Sequence, residues 1–248
     1  MKTDNMNSTW IILLAVLVVL LLTVCVRQYY IIKQLREKEI KQKELLEESD
    51  RSIMLSQIQP HFLYNTLSAI RELCIVDSQM AQKALEEFSA FLRGNMDSLE
   101  SKVPVHFSRE LEHVKHYLHL EQIRFGDDLH VEYDIQEENF YLPTLTIQPI
   151  VENAVKYGVG NKEEGGTVCI KTKKENGKIV ITICDDGVGF DVDEIEHIPV
   201  QKDGRTHIGL LNVKHRLEKM VNGTMTIHSR KESGTVVRII LDAEQSEK

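Results

Sequence analysis

The stretch Leu55-Ser-Gln-Ile-Gln-Pro-His-Phe-Leu-Tyr-Asn-Thr-Leu67 combines a helical pattern with a proline directly before a histidine. Its apolar residues recur three and four positions apart, which predicts an amphipathic helix. Pro60 costs an interior helix about 3 kcal/mol, because it removes a hydrogen bond and crowds the preceding turn. We therefore predict a kink that opens the backbone beside His61. The imidazole could carry a proton, bind a metal, act as a nucleophile, or be purely structural.

Length and charge limit the classes of protein to consider. The 248 residues can form one large domain or two modest ones. The net charge of −8 argues against nucleic-acid binding, which needs a basic face. The four cysteines (Cys25, Cys74, Cys169 and Cys184) are far apart and form no CxxC pair. This spacing predicts neither a disulfide framework nor a zinc site, and it favours a reducing compartment.

An unbroken apolar run extends from Trp10 to Val26 and predicts a single, uncleaved transmembrane helix over residues 10–26. A cleaved signal peptide is the competing interpretation, but no small-residue cleavage site follows the run. Residues 1–9 would form a short extracytoplasmic tail, too short for a sensing domain. Basic residues follow the run closely, so the positive-inside rule places the rest of the chain in the cytoplasm. These residues are Arg27, Lys33, Arg36 and Lys38.

Residues 27–53 are charged and contain neither Gly nor Pro, which predicts a helical stalk. A parallel coiled coil between two copies and a solvated single helix are both compatible with its apolar spacing. The helix that carries His61 is expected to reach Cys74. Asp77-Ser78 then caps a second helix that ends near Leu99. We expect an antiparallel hairpin that dimerises into a four-helix bundle.

A third helix is expected from a Ser108 cap to Phe125 and completes a dimerisation and phospho-acceptor region at residues 54–126. His113, His116 and His119 lie three apart along it, so they cannot all face one metal. We expect a solvated polar face, with a metal held by an adjacent pair as the alternative. Arg124 near the helix end would be a favourable partner for the helix dipole.

From Leu129 the pattern changes to strand-like alternation and turn residues. Strands are predicted at 130–135, 167–172, 179–184, 224–228 and 236–241, with helices at 145–157 and 208–221. Asn176-Gly177 is a strong hairpin signal between the second and third strands. This mixture predicts an α/β sandwich with a mostly antiparallel sheet over residues 127–242, followed by a tail at 243–248.

Three clusters in this half carry chemistry. Pro149-Ile-Val-Glu-Asn-Ala-Val-Lys-Tyr-Gly158 puts Glu152 or Asn153 on one helix face with Lys156, which suits a nucleoside triphosphate with Mg²⁺ or a surface ion pair. Asp185-Asp-Gly-Val-Gly-Phe190 follows a strand. Its carboxylate could accept a hydrogen bond from an adenine amino group, or the segment could be an ordinary Asp-Gly turn. His207-Ile-Gly-Leu-Leu-Asn-Val213 opens a helix whose N–H groups suit phosphate. Neither a Walker A motif nor GxGxxG is present.

In this order the three clusters resemble the N, G1 and G2 boxes of the GHKL (Bergerat-fold) ATP-binding superfamily. The segment Gln59–Leu67 resembles the phospho-acceptor motif of LytS/YehU-type sensor histidine kinases. Further matches are Arg124-Phe125, Gln148-Pro149 and Gly234-Thr235, and the resemblance extends from about residue 54 to 241. It implies a helical-hairpin dimerisation and phospho-acceptor region followed by a Bergerat-fold ATP-binding domain, in addition to the transmembrane helix that the apolar run predicts.

The resemblance also implies roles for individual residues. His61 would be phosphorylated, and Asn153 would be the Mg²⁺ ligand. Glu152 is a candidate base from the sequence, since Phe62 stands where many other histidine kinases have an acid. His207 replaces the first glycine of the usual G2 turn, and residues 191–206 would form a mobile lid. ATP would contact Asn153, Lys156, Tyr157, Asp185, Gly187, Gly189, Gly209, Leu210 and Thr235.

These expectations describe a membrane-anchored, ATP-dependent protein-histidine kinase of a two-component system. It would phosphorylate itself on His61 from Mg-ATP and pass the phosphoryl group to an aspartate of a response regulator. The alternative is a membrane-anchored GHKL-fold nucleotide-binding interaction protein without phosphotransfer. The expected partners are a response regulator, a second copy, the cell membrane and a companion membrane sensor protein.

Overall fold

The computed structural model describes residues 60–100, 103–191 and 206–243, together with Arg27. From residue 60 onward these belong to one compact unit. Within the described ranges, no helix has both the length and the apolar character needed to cross a membrane. The predicted span Trp10–Val26, the predicted stalk beyond Arg27 and residues 192–205 of the predicted lid lie outside these ranges.

The first two helices form the predicted hairpin. Helix α1 spans Pro60–Val76 and α2 spans Ser78–Glu100. The Oδ1 atom of Asp77 accepts hydrogen bonds from the N–H groups of Gln79 and Met80 at 3.0 Å, which confirms the predicted cap. Phe62, early in α1, lies 4.9 Å from Phe91, late in α2, so the helices are antiparallel. The predicted kink before His61 involves residues outside the described ranges.

Helix α3 spans Phe107–Phe125 and packs on the hairpin through Tyr117, whose ring centroid lies 5.2 Å from that of Phe62. The predicted Ser108 cap is wrong. The Nδ1 atom of His106 accepts from the N–H of Ser108 at 3.3 Å instead. His106 can do so because it is fixed in the short strand β1 (Val105–His106), which pairs with β3 (Tyr141–Leu142).

The predicted solvated histidine face on α3 is also wrong. His113 is buried, and its Nε2 atom lies 3.3 Å from Oδ1 of Asn95 in α2. His116 and His119 are half-buried, and both contact the carboxylate of Glu87. All three side chains therefore face α2. In the part of the chain that the structure describes, no group of three or more histidine, cysteine or acidic residues is arranged to hold a metal ion.

Five strands form the main sheet, and three of its four pairings are antiparallel, which confirms the mostly antiparallel prediction. The exception is β2 (Leu129–Ile135), which pairs in parallel with β4 (Gly166–Glu175). Asn176 and Gly177 both have positive φ angles, 52° and 74°, as a tight hairpin turn requires. The sheet order is β2-β4-β5-β7-β6, formed by Leu129–Ile135, Gly166–Glu175, Lys178–Asp185, Thr235–Asp242 and Thr224–Ser229.

Two helical segments cover the buried face of the sheet. Helix α4 spans Gln148–Asn153 and continues as a π-helical turn, Ala154–Gly158, and a 3₁₀ turn, Val159–Asn161. Helix α5 spans Thr206–Val221. The predicted start of α4 at Leu145 is three residues early, because the backbone there is left-handed, with φ of 54°. Fully buried sheet residues beneath these helices include Ile170, Ile181, Ile183 and Ile239.

The cysteines in the sheet correct the expectation that none is paired. Cys169 in β4 lies directly opposite Cys184 in β5, and the two form a disulfide. They are 15 residues apart in sequence, and only the hairpin at Asn176-Gly177 brings them together. Sequence spacing alone does not indicate such cross-strand pairs.

Candidate nucleotide site

A cavity of about 290 Å³ opens between α4 with its π-helical turn, the ends of β5 and β7, and the start of α5. It lies where the three sequence clusters converge, although they are dispersed over 65 residues, from Pro149 to Val213. Predicted residues that line it are Asn153, Tyr157, Asp185, Gly189, Leu210 and Thr235.

Asp185 is the acidic residue of the cavity. It ends β5, is only 8% exposed, and accepts a hydrogen bond from the N–H of Gly187 at 3.0 Å. Burial raises the pKa of its carboxyl group to about 6, although the N–H of Gly187 and the backbone and hydroxyl groups of Thr235 lower it in part. A carboxylate held this way can accept a hydrogen bond from an amino group of a ligand.

Glycines shape the wall around Asp185. A Cβ atom on Gly158 would lie 2.5 Å from Oδ1 of Asp185. A Cβ atom on Gly187 would lie 2.1 Å from the carbonyl carbon of Gly158, so the two backbones touch here. Gly189 has a φ of 57°, a conformation that favours glycine. Gly158 was not among the predicted site residues, although it ends the first cluster.

Besides His61, four predicted site residues do not line the cavity. Lys156 is exposed, and its ammonium nitrogen lies 4.7 Å from the ring centroid of Tyr157. Gly187 contributes through its backbone contact with Gly158, and a Cβ atom on Gly209 would meet open space. Glu152 is half-buried, and its Oε1 atom accepts a hydrogen bond from Nε2 of Gln148 at 2.7 Å.

His61 is exposed on α1. The amide nitrogen of Asn65, one helical turn later, lies 3.2 Å from Nδ1 and 3.4 Å from Nε2 of His61. Both ring nitrogens therefore share this neighbour, and the exposed ring remains accessible to a second molecule or domain. His207, the departure in the G2 cluster, lies one residue after the start of α5.

Sequence analysis missed the apolar part of the cavity wall. Isoleucines and valines of β5 and β7 carried a signal for burial but none for ligand contact, because only the folded sheet places them beside α4. Asn161 was missed too, and its side-chain amide donates to the carbonyl of Tyr157 at 3.2 Å. The missed lining residues are Ile150, Ala154, Gly158, Asn161, Ile183, Val188, Phe190 and Val237.

A buried ion pair lies on α3. Arg124 contacts the carboxylate of Glu121 at 2.5 Å, and its guanidinium lies 4.1 Å from the ring centroid of Phe125. Burial raises the pKa of Glu121 to about 7, and the negative charge of Glu152 raises it further, while Arg124 lowers it. Arg124 therefore has an ion-pair partner in addition to the expected helix dipole.

The described residues thus form a helical hairpin with an exposed histidine, followed by an α/β domain with a glycine-shaped acidic cavity. Two family models match the chain accordingly. "Histidine kinase" matches residues 51–129. "Histidine kinase-, DNA gyrase B-, and HSP90-like ATPase" matches residues 142–245. The chain belongs to the LytS-type family of sensor histidine kinases.

Three relatives illustrate this membership. The YwpD protein of Bacillus subtilis is 34% identical over 194 residues, which cover 77% of this chain and 69% of that protein. Sensor histidine kinase YpdA of Escherichia coli is 35% identical, with coverage of 79% and 34%. Sensor protein LytS of Oceanobacillus iheyensis is 32% identical, with coverage of 81% and 36%. The chain thus spans about a third of the length of these two sensor proteins.

Among solved structures, the histidine kinase domain of the Erythrobacter litoralis blue-light activated kinase is 12% identical, with a TM-score of 0.47. The match covers 75% of this chain and 97% of that one. The family assignment rests on the sequence matches.

Proposed function

We propose that this chain phosphorylates itself on His61 with the γ-phosphoryl group of Mg-ATP and transfers that group to an aspartate of a response regulator. The observation that carries the proposal is the acidic, glycine-shaped cavity around Asp185, in a chain that also presents an exposed histidine on a hairpin helix. Family membership supports both halves of this assignment.

The nucleotide would enter the cavity with its base toward Asp185. The buried carboxylate would accept from the adenine amino group, beside a wall in which the backbones of Gly158 and Gly187 are in contact. Tyr157 packs beside the nucleotide, and the phosphates extend toward Leu210 and the N-terminal turn of α5. Gly189 and Thr235 complete the wall.

Mg²⁺ fits the phosphate end of this site. Asn153 lines the cavity and offers an amide oxygen, which is a hard ligand of the kind that Mg²⁺ prefers. When bound, the ion would neutralise charge that develops on the phosphate oxygens. Lys156 is exposed one turn away and can reach a phosphate oxygen.

In the reaction, a neutral ring nitrogen of His61 attacks the γ-phosphorus while the bond to the β–γ bridging oxygen breaks and ADP leaves. Glu152 is our candidate for accepting the ring proton. The phosphohistidine then passes its phosphoryl group to the carboxylate of a response-regulator aspartate. Catalysis depends mainly on positioning and charge neutralisation.

Incubation of the purified full-length chain in detergent with γ-labelled ATP tests the proposal. We expect label that is acid-labile and base-stable in the parent and in His130→Gln, a matched change of an exposed histidine in β2. We expect no label in His61→Gln. Equal labelling of His61→Gln would reject His61 as the acceptor. ATP binding without any phosphoprotein would support the interaction-protein alternative instead.

We also propose a single membrane span at Trp10–Val26, with the kinase portion in the cytoplasm. The span, the stalk or a companion membrane protein would then convey the signal. Membrane fractionation is the test: the full chain should sediment with membranes, whereas a chain lacking residues 1–26 should not. Sedimentation of both chains would contradict this anchor.

Homodimerisation through the hairpin is part of the same proposal. Apolar side chains on α1 and α2 remain exposed, among them Tyr64 and Ile75, which a second copy would cover. Light scattering of the full chain in detergent should give the mass of two copies. A monomeric mass at micromolar concentration would contradict it.

A further inference from the structure

A chain of buried polar side chains connects the hairpin to α4 and ends at Glu152, the candidate proton acceptor. Asn95 in α2, His113 in α3 and Gln148 in α4 are all 5–7% exposed. Oδ1 of Asn95 lies 3.3 Å from Nε2 of His113 and 3.1 Å from Nε2 of Gln148. The same Gln148 nitrogen lies 2.7 Å from Oε1 of Glu152.

One assignment of hydrogens satisfies all three contacts. The amide group of Gln148 has two hydrogens, so it donates one to Asn95 and the other to Glu152. Burial lowers the pKa of His113 to about 4, so its ring is neutral near pH 7 and carries one hydrogen. That hydrogen must be on Nε2, because Oδ1 of Asn95 can only accept.

The helices approach closely where this chain forms. A Cβ atom on Gly94 would lie 2.4 Å from Nδ1 of His113, so any larger residue would push α2 away from α3. Phe91, one turn earlier in α2, stacks on the His113 ring with 5.1 Å between ring centroids. The position of Asn95 is therefore fixed by packing on both sides of its turn.

Burying an amide away from water costs about 1–3 kcal/mol unless it is hydrogen-bonded. A leucine at position 95 would fill a similar volume without this requirement. Asn95 therefore does more than pack: its carbonyl oxygen and the Glu152 carboxylate both accept from the Gln148 amide nitrogen, so Asn95 helps to hold that nitrogen toward Glu152.

We propose that Asn95 is a positioning residue for the autokinase reaction, acting through Gln148 to hold the Glu152 carboxylate in place. The inference rests on the proposed function, in which Glu152 accepts the proton of His61. It also gives the hairpin a direct hydrogen-bonded connection to the helix that carries Asn153.

A double-mutant cycle in the full-length chain tests the inference. Asn95→Leu should lower kcat for autophosphorylation about 10-fold, which is a smaller loss than removal of a general base would cause. The KM for ATP should stay within about twofold of the parent value. In a Glu152→Gln background the same change should alter kcat by less than about twofold. Asp97→Asn is the control, since it removes an exposed α2–α3 ion pair with Arg109 and should leave kcat unchanged.

Several results would overturn the inference. One is that Asn95→Leu lowers kcat equally in the parent and in the Glu152→Gln background. Another is that Asn95→Leu raises KM for ATP at constant kcat, because this would indicate a role in forming the nucleotide pocket. Full activity of Glu152→Gln would also overturn it, while the His61→Gln result would still decide the proposed function separately. If Asn95→Leu does not fold, Asn95→Ser replaces it in the cycle, because a hydroxyl is too short to bridge both donors.

Discussion

The hairpin and the sheet domain differ in where their large apolar side chains lie. In the sheet, Ile181 and Ile183 are at most 1% exposed, whereas Tyr64 and Ile75 in the hairpin are 73% and 86% exposed. Helices α4 and α5 cover the buried face of the sheet, whereas the hairpin buries one face against α3 and leaves large apolar side chains of its other face exposed. Among the described residues, the two regions share one apolar core, and the most exposed apolar side chains lie on the hairpin.

The sheet core should show the largest effect on stability. Ile181→Ala should lower the free energy of unfolding by about 2–5 kcal/mol, because it leaves a cavity in a fully buried layer. Tyr64→Ala in the hairpin should change it by less than about 0.5 kcal/mol in a monomeric form. Urea denaturation followed by circular dichroism measures both. Comparable losses would contradict the contrast between the two regions.

A substitution at Glu110 tests the junction between the helical region and the sheet domain. Its buried carboxylate on α3 accepts backbone hydrogen bonds from Leu145, Thr146 and Ile147 at 2.6–3.1 Å, just before α4. Glu110→Gln should cost about 2 kcal/mol of unfolding free energy, because an amide cannot accept all three. Glu112→Gln, an exposed change on the same helix, should be neutral. Thermal melts compare the two, and equal melting temperatures would count against this role for Glu110.

The acidic cavity should make ATP affinity depend on pH. The ionised form of Asp185 accepts a hydrogen bond from the adenine amino group more strongly than the protonated form, and burial raises its pKa to about 6. The affinity should therefore fall as pH drops below 6, to about a tenth of its pH 7 value at pH 5. Titration with a fluorescent ATP analogue measures it. Asp185→Asn should bind the ATP analogue weakly, and its affinity should change with pH only as far as the nucleotide itself titrates. If the affinity of the parent protein has the same pH dependence, the assignment of Asp185 to adenine binding is refuted.

The exposed hairpin face should give the smallest effect on folding. Ile75→Ser should change the unfolding free energy of one copy by less than about 0.5 kcal/mol, because the side chain is already 86% exposed. It should nevertheless weaken dimerisation, which sedimentation of the full chain in detergent measures. An unchanged dimer would place the interface on another face of the hairpin.

Much of the fold followed from local patterns. Helical periodicity located α1 and α2, and Asp77 marked their boundary. Asn176-Gly177 predicted the hairpin between β4 and β5. Local sequence carries these features because helix caps and tight turns depend on residues only a few positions apart.

The parts that were wrong or missed depend on contacts between distant residues. His113 was expected on a solvated face, but it is buried against Asn95, 18 residues earlier. Cys169 pairs with Cys184 only because of the strand register. Glu110 reads as an ordinary helix residue until α4 is placed beside it. Polar residues on amphipathic helices give the same sequence signal whether water or another helix faces them.

Leu145 has a consequence for the joint before α4. Its left-handed backbone, at φ of 54°, is costly for a branched side chain, by about 1–2 kcal/mol. Two charged residues, one on α3 and one on α5, hold it there: Glu110 accepts its N–H at 2.6 Å, and Arg216 donates to its carbonyl at 2.6 Å. The joint therefore stores conformational energy. Loss of either clamp would let α4 begin a turn earlier and rotate the nucleotide-binding residues that follow it.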